Sequence, residues 1–150
     1  MSTRHRLLVI DDDDAQVRLL TRVVGKSFAD QLDMTAMTDA QEASRWIEAC
    51  CPDLVVTDLE MPGASGLEIL RTAKRRNPAA QVLLLTGCSS TQSLLDALES
   101  GATDYLLKPL VAGDLIKLLR QSIERIERWQ LALTDTMRTK KDRVAAAASE

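Results

Sequence analysis

The sequence predicts a doubly wound α/β domain in which five parallel strands alternate with five helices. Short apolar runs alternate with segments of helical periodicity, and Gly, Pro and Asn residues separate them. The 150 residues are 45% apolar, enough for one buried core, but only 3% are aromatic. That core must therefore consist of Leu, Val, Ile and Ala. Regular alternation of strands and helices is typical of a parallel sheet covered by helices on both faces.

The predicted strands are the short apolar runs at residues 6–10, 32–37, 53–58, 81–87 and 103–108. The first run, "RLLVI", has four consecutive apolar residues, which is typical of a strand buried on both faces. The second run, "LDMTAM", is interrupted by polar residues and gives a weaker signal. Pro52 and Pro109 lie just outside the third and fifth runs, where they do not disturb a strand.

The predicted helices cover residues 15–28, 39–50, 67–77 and 91–101, and the chain from 113 to at least Trp129. Asp39 is an expected N-cap, because its carboxylate can accept hydrogen bonds from the first free amides of a helix. Gly101 is expected at the C′ position, where a left-handed backbone ends a helix. Trp46 and Trp129 lie on helical patterns, and we expect both to be packing residues.

The last helix is predicted to continue beyond the domain. Apolar side chains occupy seven of the nine positions of a heptad pattern at 116, 119, 123, 126, 130, 133, 137, 140 and 144. We expect one domain over residues 1–128 and a helical extension or linker over 129–150. A parallel coiled coil, a signalling helix and a frayed amphipathic end are alternatives for the extension. It is too short for a DNA-binding domain, so we expect no direct DNA binding by this chain.

Polar residues stand at the predicted carboxyl ends of four strands. Asp11 and Asp12 follow the first strand, Asp58 ends the third, Thr86 ends the fourth and Lys108 ends the fifth. In a doubly wound sheet the functional site lies at this edge, near the point where strand order reverses. We therefore expect three carboxylates, a hydroxyl and an ammonium group to converge. Asp13 and Asp14 are interpreted instead as acids at the N-terminus of a helix, stabilised by the helix dipole.

This group of side chains suits magnesium and phosphate chemistry. Mg²⁺ prefers oxygen ligands and commonly keeps several waters beside one or two carboxylates. Lys108 can neutralise a phosphate oxygen, and the Thr86 hydroxyl can hydrogen-bond to another. A carboxylate beside the metal can act as a nucleophile toward phosphorus and form an aspartyl-phosphate. The residues thus predict a cofactor, Mg²⁺, and a phosphoryl-binding site.

Composition excludes several other classes of protein. A net charge of −3 argues against binding nucleic acid through a global basic field. Three cysteines, Cys50, Cys51 and Cys88, form no disulfide framework and no zinc spacing. No apolar run is long enough to cross a membrane, so a cytoplasmic location is expected. Cys88 is a poor candidate nucleophile, because the only histidine, His5, precedes the first strand.

Four segments together resemble a known family. They are "LLVIDDDD", "PDLVVTDLEMPGASGLEIL", "VLLLTG" and "GATDYLLKPL", in that order, and the resemblance spans about residues 6–126. The chain resembles the receiver domains of two-component response regulators, in the CheY-like superfamily. The resemblance implies a flavodoxin-like fold and a role in phosphorelay signal transduction.

The resemblance also implies roles for individual residues. Asp58 matches the phosphoacceptor, and Asp11, Asp12 and Asp58, with the backbone carbonyl of Glu60, match the ligands of Mg²⁺. Thr86 and Lys108 match the residues that bind the phosphoryl group. Tyr105 matches an aromatic residue whose rotamer follows phosphorylation. The bond between Lys108 and Pro109 matches a cis peptide bond.

The expected function is a switch that accepts a phosphoryl group on Asp58 from a sensor histidine kinase or a phosphotransfer protein. We expect no catalysis on an external substrate, only self-catalysed phosphorylation and dephosphorylation. A homodimer could form through the fourth helix, fifth strand and fifth helix, or through the C-terminal extension. One alternative is a receiver-like interaction module that does not cycle phosphate. Another is a phosphatase of the haloacid dehalogenase kind, although that class carries its nucleophile after the first strand.

Overall fold

The computed structural model describes residues 4–63, 65–87 and 90–149, in which five strands and five helices alternate. The prediction for Cys88 concerns a residue outside the described ones. Residues 1–3 of the predicted domain and residue 150 of the predicted extension also lie outside them. The elements are β1 (His5–Ile10), α1 (Asp14–Ser27), β2 (Leu32–Met37), α2 (Ala40–Cys50), β3 (Leu54–Asp58), α3 (Gly66–Arg76), β4 (Gln81–Thr86), α4 (Thr91–Glu99), β5 (Asp104–Leu107) and α5 (Ala112–Ala148). The predicted elements are all present, with ends that differ by at most two residues, and the last helix, predicted to reach at least Trp129, continues to Ala148.

The strands form one parallel sheet in the order β2-β1-β3-β4-β5. The chain leaves β1 toward β2 and then crosses to β3 on the other side, so strand order reverses between β1 and β3. The predicted doubly wound, flavodoxin-like architecture is therefore confirmed. Because all strands point the same way, their carboxyl ends share one edge of the sheet.

Side chains alternate between two apolar layers, one on each face of the sheet. In β1, Leu7 and Val9 face α1 and α5, whereas Leu8 and Ile10 face α2, α3 and α4. The four side chains are 0% exposed, which confirms that β1 is buried on both faces. This period of two along a doubly covered strand holds the carboxyl end of β1 rigidly in the core.

Local signals in the sequence account for several helix ends. Asp39 caps α2 by accepting hydrogen bonds from the amides of Gln41 and Glu42. Asp13 caps α1 in the same way through the amide of Ala15, and Asp14 is the first residue of that helix. The backbone φ of Gly101 is +96°, after α4 has ended. The predicted N-cap Asp39 and the predicted C′ residue Gly101 are confirmed, and Asp13 and Asp14 lie at the N-terminus of α1 as expected.

The last helix extends well beyond the sheet, as predicted. It runs from Ala112 to Ala148, and its buried apolar residues end at Ile126. Trp46 packs against the core layer of α2, α3 and α4 as expected. For Trp129 the expectation was wrong: it is 53% exposed, because α5 has left the sheet at that point. None of the described helices, including α5, combines the length and apolarity needed to cross a membrane.

Candidate functional site

The carboxyl ends of β1 and β3 bring Asp11 and Asp58 together. Asp11 follows β1 directly and is 0% exposed, while Asp58 is the last residue of β3 and is 7% exposed. Asp12, next to Asp11, is exposed. The three residues can each present a carboxylate oxygen within 4.8 Å of the other two. The predicted acidic cluster is thus assembled at the point where strand order reverses.

Lys108 is the positive charge of this cluster. It follows β5 and reaches across the edge of the sheet, so that its Nζ donates to Asp11 Oδ2 at 3.0 Å and to Asp58 Oδ2 at 3.2 Å. Its backbone amide donates to the carbonyl of Thr86 at 2.8 Å, which fixes the start of the side chain beside β4. The peptide bond between Lys108 and Pro109 is cis.

The two buried carboxylates also accept backbone hydrogen bonds. Asp11 Oδ1 accepts from the amide of Asp13 at 3.0 Å, and Asp58 Oδ1 accepts from the amide of Glu60 at 3.3 Å. Each carboxylate therefore has one oxygen toward a backbone amide and the other toward Lys108. Such charge-assisted bonds hold the oxygens in place before any ligand arrives.

The protonation state of Lys108 follows from these contacts. Burial by itself lowers the pKa of the ammonium group, but its hydrogen bonds to Asp11 and Asp58, with their negative charges, outweigh burial and raise the pKa. Lys108 is thus fully charged at neutral pH. The site therefore holds a fixed cation against two acids that are largely removed from water.

Thr86 and Tyr105 lie on the side of the site toward α4. Thr86 ends β4 and is 1% exposed, next to the strand that carries Asp58. Tyr105 lies in β5 and is 48% exposed. It borders a cavity of about 360 Å³ between α4 and β5, whose lining is mainly apolar and includes Leu94 and Leu98. Thr86 thus belongs to the buried site, whereas Tyr105 belongs to the neighbouring surface.

The donor set fits Mg²⁺. All the candidate ligand atoms are oxygens, two of the carboxylates are buried, and Asp12 is exposed at the open side of the cluster. Hard oxygen donors with one side open to water are the environment that Mg²⁺ prefers, because it keeps part of its hydration shell. Asp11, Asp12 and Asp58 could hold such an ion.

Gly66 contributes to the site in a way that sequence reasoning missed. A Cβ at this position would overlap the carbonyl oxygen of Asp58 and lie 2.8 Å from the Cα of Leu59. The amide of Gly66 donates to the carbonyl of Leu59 at 2.9 Å. The start of α3 therefore packs directly on the backbone that carries Asp58. The glycine at the end of "PGASG" is the signal, but only the fold shows what it touches.

Comparisons with known proteins agree with this architecture. The family model for the response regulator receiver domain matches residues 7–120. The DNA-binding response regulator MtrA of Mycolicibacterium smegmatis is 34% identical over 125 residues, which cover 83% of this chain and 53% of MtrA. The chain therefore spans about half the length of that relative.

Solved receiver domains have the same fold. A response regulator receiver domain protein from Clostridium thermocellum is 29% identical, with a TM-score of 0.76, over 83% of this chain and 98% of that one. The BeF3-activated DrrB receiver domain is 28% identical, with a TM-score of 0.69, over 81% of this chain and 99% of that one. Together with the match over residues 7–120, the fold and the acidic cluster establish that this chain belongs to the response regulator receiver domain family.

Proposed function

We propose that this chain is a phosphorylation-controlled switch in which Asp58 accepts a phosphoryl group from a histidine kinase or a phosphotransfer protein. The observation that carries the proposal is the position of Lys108 Nζ, 3.0 Å from Asp11 Oδ2 and 3.2 Å from Asp58 Oδ2. A nucleophilic carboxylate, a second acid and a fixed cation meet in a site with one exposed acid, Asp12. Membership of the receiver family supports this assignment.

Mg²⁺ is the cofactor of the proposed reaction. Asp11, Asp12 and Asp58 would hold it together with the backbone carbonyl of Glu60. A bound Mg²⁺ would supply positive charge beside the phosphoryl oxygens. Because Asp11 and Asp58 already have backbone amides and Lys108 as partners, the protein holds the ligand oxygens in place without large rearrangement.

The residues of the chain then have separate tasks. A carboxylate oxygen of Asp58 attacks phosphorus while the bond from phosphorus to the donor breaks. Lys108 keeps its proton and neutralises a phosphoryl oxygen, since its raised pKa leaves it charged. The Thr86 hydroxyl donates to another phosphoryl oxygen.

Phosphorylation would be read out on the surface formed by α4, β5 and α5. It adds roughly −1.5 to −2 charge, which new hydrogen bonds to Lys108 and Thr86 would balance. Thr86 ends β4, which is hydrogen-bonded to β5, and Tyr105 lies in that neighbouring strand. The apolar cavity between α4 and β5 leaves room for this surface to repack. We propose that the output is protein contact at this face, with no external substrate.

The segments have different roles in this proposal. We propose that residues 1–128 are the receiver and that residues 129–150 are a helical extension or linker. The matched relative MtrA is described as DNA-binding, but this chain covers only 53% of it. We propose that this chain acts in the cytoplasm through protein partners and binds no DNA itself.

The test is the intact mass of the chain after incubation with acetyl phosphate and Mg²⁺. We expect a single phosphoryl adduct, which is absent from Asp58→Asn and absent when Mg²⁺ is chelated. An adduct that persists in Asp58→Asn would show that another residue is the acceptor. Asp104→Asn is the matched control, because it removes an exposed carboxylate outside the acidic cluster and should leave the adduct unchanged.

A second measurement detects a working site even if the acyl phosphate hydrolyses before its mass can be measured. Beryllium fluoride with Mg²⁺ mimics that group, and a matched receiver domain is described in its BeF3-activated form. We expect it to raise the melting temperature of the wild-type chain but not that of Asp58→Asn. A chain that shows neither an adduct nor this stabilisation would be a receiver-like module that does not cycle phosphate.

A further inference from the structure

Two acids of the run at residues 11–14 lie outside the acidic cluster. Asp11 and Asp12 belong to the cluster, whereas Asp13 and Asp14 are exposed at the N-terminus of α1. Both outer acids are placed where the helix dipole favours a negative charge, but only Asp13 uses its carboxylate as the cap of the helix. The hydrogen bonds of Asp13 therefore distinguish two acids that the sequence pattern treats alike.

Hydrogen bonds hold Asp13 on three sides. Its Oδ1 accepts from the amide of Ala15 at 2.9 Å, and its carbonyl accepts from the amide of Val17 at 3.1 Å. Its own amide donates to Asp11 Oδ1 at 3.0 Å. The cap keeps the backbone of Asp13 extended, with φ −90° and ψ 111°, where the loop meets the helix. The direction of the Asp13 amide is therefore set by the cap of α1.

The amide of Asp13 in turn orients the buried carboxylate of Asp11. Asp11 is 0% exposed, and its backbone amide donates to the carbonyl of Met37 at 3.3 Å, which ties it to the end of β2. Its Oδ1 accepts from Asp13 and its Oδ2 from Lys108. Without the bond from Asp13, the carboxylate would be free to rotate about Cβ–Cγ. One amide thus links the start of α1 to the orientation of a candidate metal ligand.

Asp12 depends on the same arrangement. Its side chain is exposed, so packing does not hold it in the cluster. The backbone on both sides holds it instead, because Asp11 is bound to β2 and Asp13 is bound to α1. A ligand group that is ordered before binding loses less conformational entropy when its ion arrives, and this increases affinity.

We propose that Asp13 is a positioning residue, whose carboxylate caps α1 and thereby holds Asp11 and Asp12 in the arrangement that binds a divalent cation. The proposal rests on the Mg²⁺ site of the proposed function and adds a residue that does not itself contact the ion. Asp14 has the same charge, one residue farther along the chain, but does not cap the helix. Loss of the cap should weaken Mg²⁺ binding, because the loop must then be ordered at the moment of binding.

Charge by itself also affects a cation, so the test must keep the charge constant. Removing any carboxylate of residues 11–14 takes one negative charge away from the neighbourhood of Mg²⁺. Asn and Ala at position 13 have the same charge, but the Asn side chain can cap a helix and the Ala side chain cannot. The ratio of the Mg²⁺ dissociation constants of Asp13→Ala and Asp13→Asn therefore reports the cap alone. The same ratio for Asp14→Ala and Asp14→Asn is the matched control.

Titration of the full chain with Mg²⁺, followed through the amide resonances around Asp11 and Asp58 in NMR spectra, measures these constants. We expect the ratio to be about three to ten at position 13 and near one at position 14. Asp13→Ser carries a neutral side chain that also caps helices. It should therefore bind Mg²⁺ like Asp13→Asn.

The cap of α2 separates positioning from a general loss of stability. Asp39 accepts hydrogen bonds from the amides of Gln41 and Glu42 and lies outside the acidic cluster. Asp39→Ala should lower the midpoint of urea unfolding about as much as Asp13→Ala does. The ratio of the Mg²⁺ dissociation constants of Asp39→Ala and Asp39→Asn should nevertheless stay near one.

A measurement without Mg²⁺ tests the structural step directly. The protection factor of the residue 13 amide against hydrogen exchange, in the metal-free chain, reports its bond to Asp11 Oδ1. We expect this protection factor to be about three to ten times lower in Asp13→Ala than in Asp13→Asn. Protection factors correct for the different intrinsic exchange rates of the two variants.

The two measurements distinguish this proposal from the proposed function. A wild-type chain whose resonances around Asp11 and Asp58 do not respond to Mg²⁺ would refute the Mg²⁺ site, and the protection factors would then decide alone whether Asp13 holds Asp11. Equal protection factors in Asp13→Ala and Asp13→Asn would overturn the positioning role. A ratio of dissociation constants near one at position 13, or equal ratios at positions 13 and 14, would overturn it as well.

Discussion

At the scale of single residues, Lys108 has the most informative environment. It holds two carboxylates that would otherwise repel each other across the ends of β1 and β3. Its raised pKa means that the folded chain binds this proton more tightly than the unfolded chain does. By linkage, the stabilisation from Lys108 is fully present below about pH 10.5 and is lost as the pH rises through the raised pKa.

We therefore predict that the stability difference between the wild type and Lys108→Met shrinks above about pH 10.5. Urea unfolding of both proteins without Mg²⁺, across an alkaline pH series, measures this difference. Lys74→Met is a control of opposite sign, because burial lowers the pKa of Lys74. The Lys74 contribution should become more favourable as the pH rises toward 10.5. A constant difference for Lys108→Met across the series would contradict the ion-pair assignment.

Gly66 shows how one missing side chain positions the candidate nucleophile. We predict that Gly66→Ala lowers the free energy of unfolding by about 1–3 kcal/mol, since the new methyl group would overlap the carbonyl of Asp58. Gly25→Ala in α1 is the matched control. It meets no atom within 4 Å and should stabilise the chain by up to about 1 kcal/mol. Chemical denaturation measures both, and equal effects would show that the close approach is relieved by a shift of α3.

At the scale of secondary-structure elements, the site depends on where strands end and helices begin. Asp39 shows how a helix start is stabilised outside the site. We predict that Asp39→Ala costs about 1 kcal/mol, because two amides at the start of α2 lose their acceptor. Asp30→Ala, at an exposed position between α1 and β2, should change the free energy of unfolding by less than about 0.5 kcal/mol.

The loop after β1 places Asp12 in contact with solvent beside the buried Asp11. We predict that Mg²⁺ stabilises the folded chain by about 2.7 kcal/mol at roughly a hundred times its dissociation constant. Asp12→Asn should reduce this stabilisation while leaving the metal-free stability nearly unchanged, since Asp12 is exposed. Melting curves with and without Mg²⁺ measure it. Full Mg²⁺ stabilisation of Asp12→Asn would place the ion elsewhere.

At the scale of the whole molecule, the core of the receiver does not include the extension of α5. Every residue from 127 to 149 is exposed, whereas both core layers are complete without them. We predict that a chain ending at residue 128 unfolds cooperatively, with only a small loss of stability from removing Trp129 and Leu133, which line one side of the cavity beside Pro78. Circular dichroism should show less helix, and thermal melting should still show one transition. A molten or insoluble fragment would mean that the extension is part of the core.

The sequence by itself determined the order of the elements and the local chemistry at their ends. Alternating apolar runs predict the strands, and Asp39 and Gly101 predict helix ends. The alternation of strands with helices predicts a parallel sheet, in which every strand carboxyl end lies at one edge. That is why Asp11, Asp58 and Lys108 could be predicted to meet although they are far apart along the chain. A resemblance carried by four ordered segments assigned expected roles to these residues.

Only the tertiary structure decided how these groups touch. Periodicity places Lys108 at the correct edge, but the two carboxylate oxygens that it contacts depend on packing across three strands. The contact of Gly66 with the Asp58 backbone is likewise a meeting of α3 with β3 that no local pattern encodes. Trp129 is exposed for a related reason. Helical periodicity specifies the face on which a residue lies, whereas the length of the sheet decides where that face loses its cover.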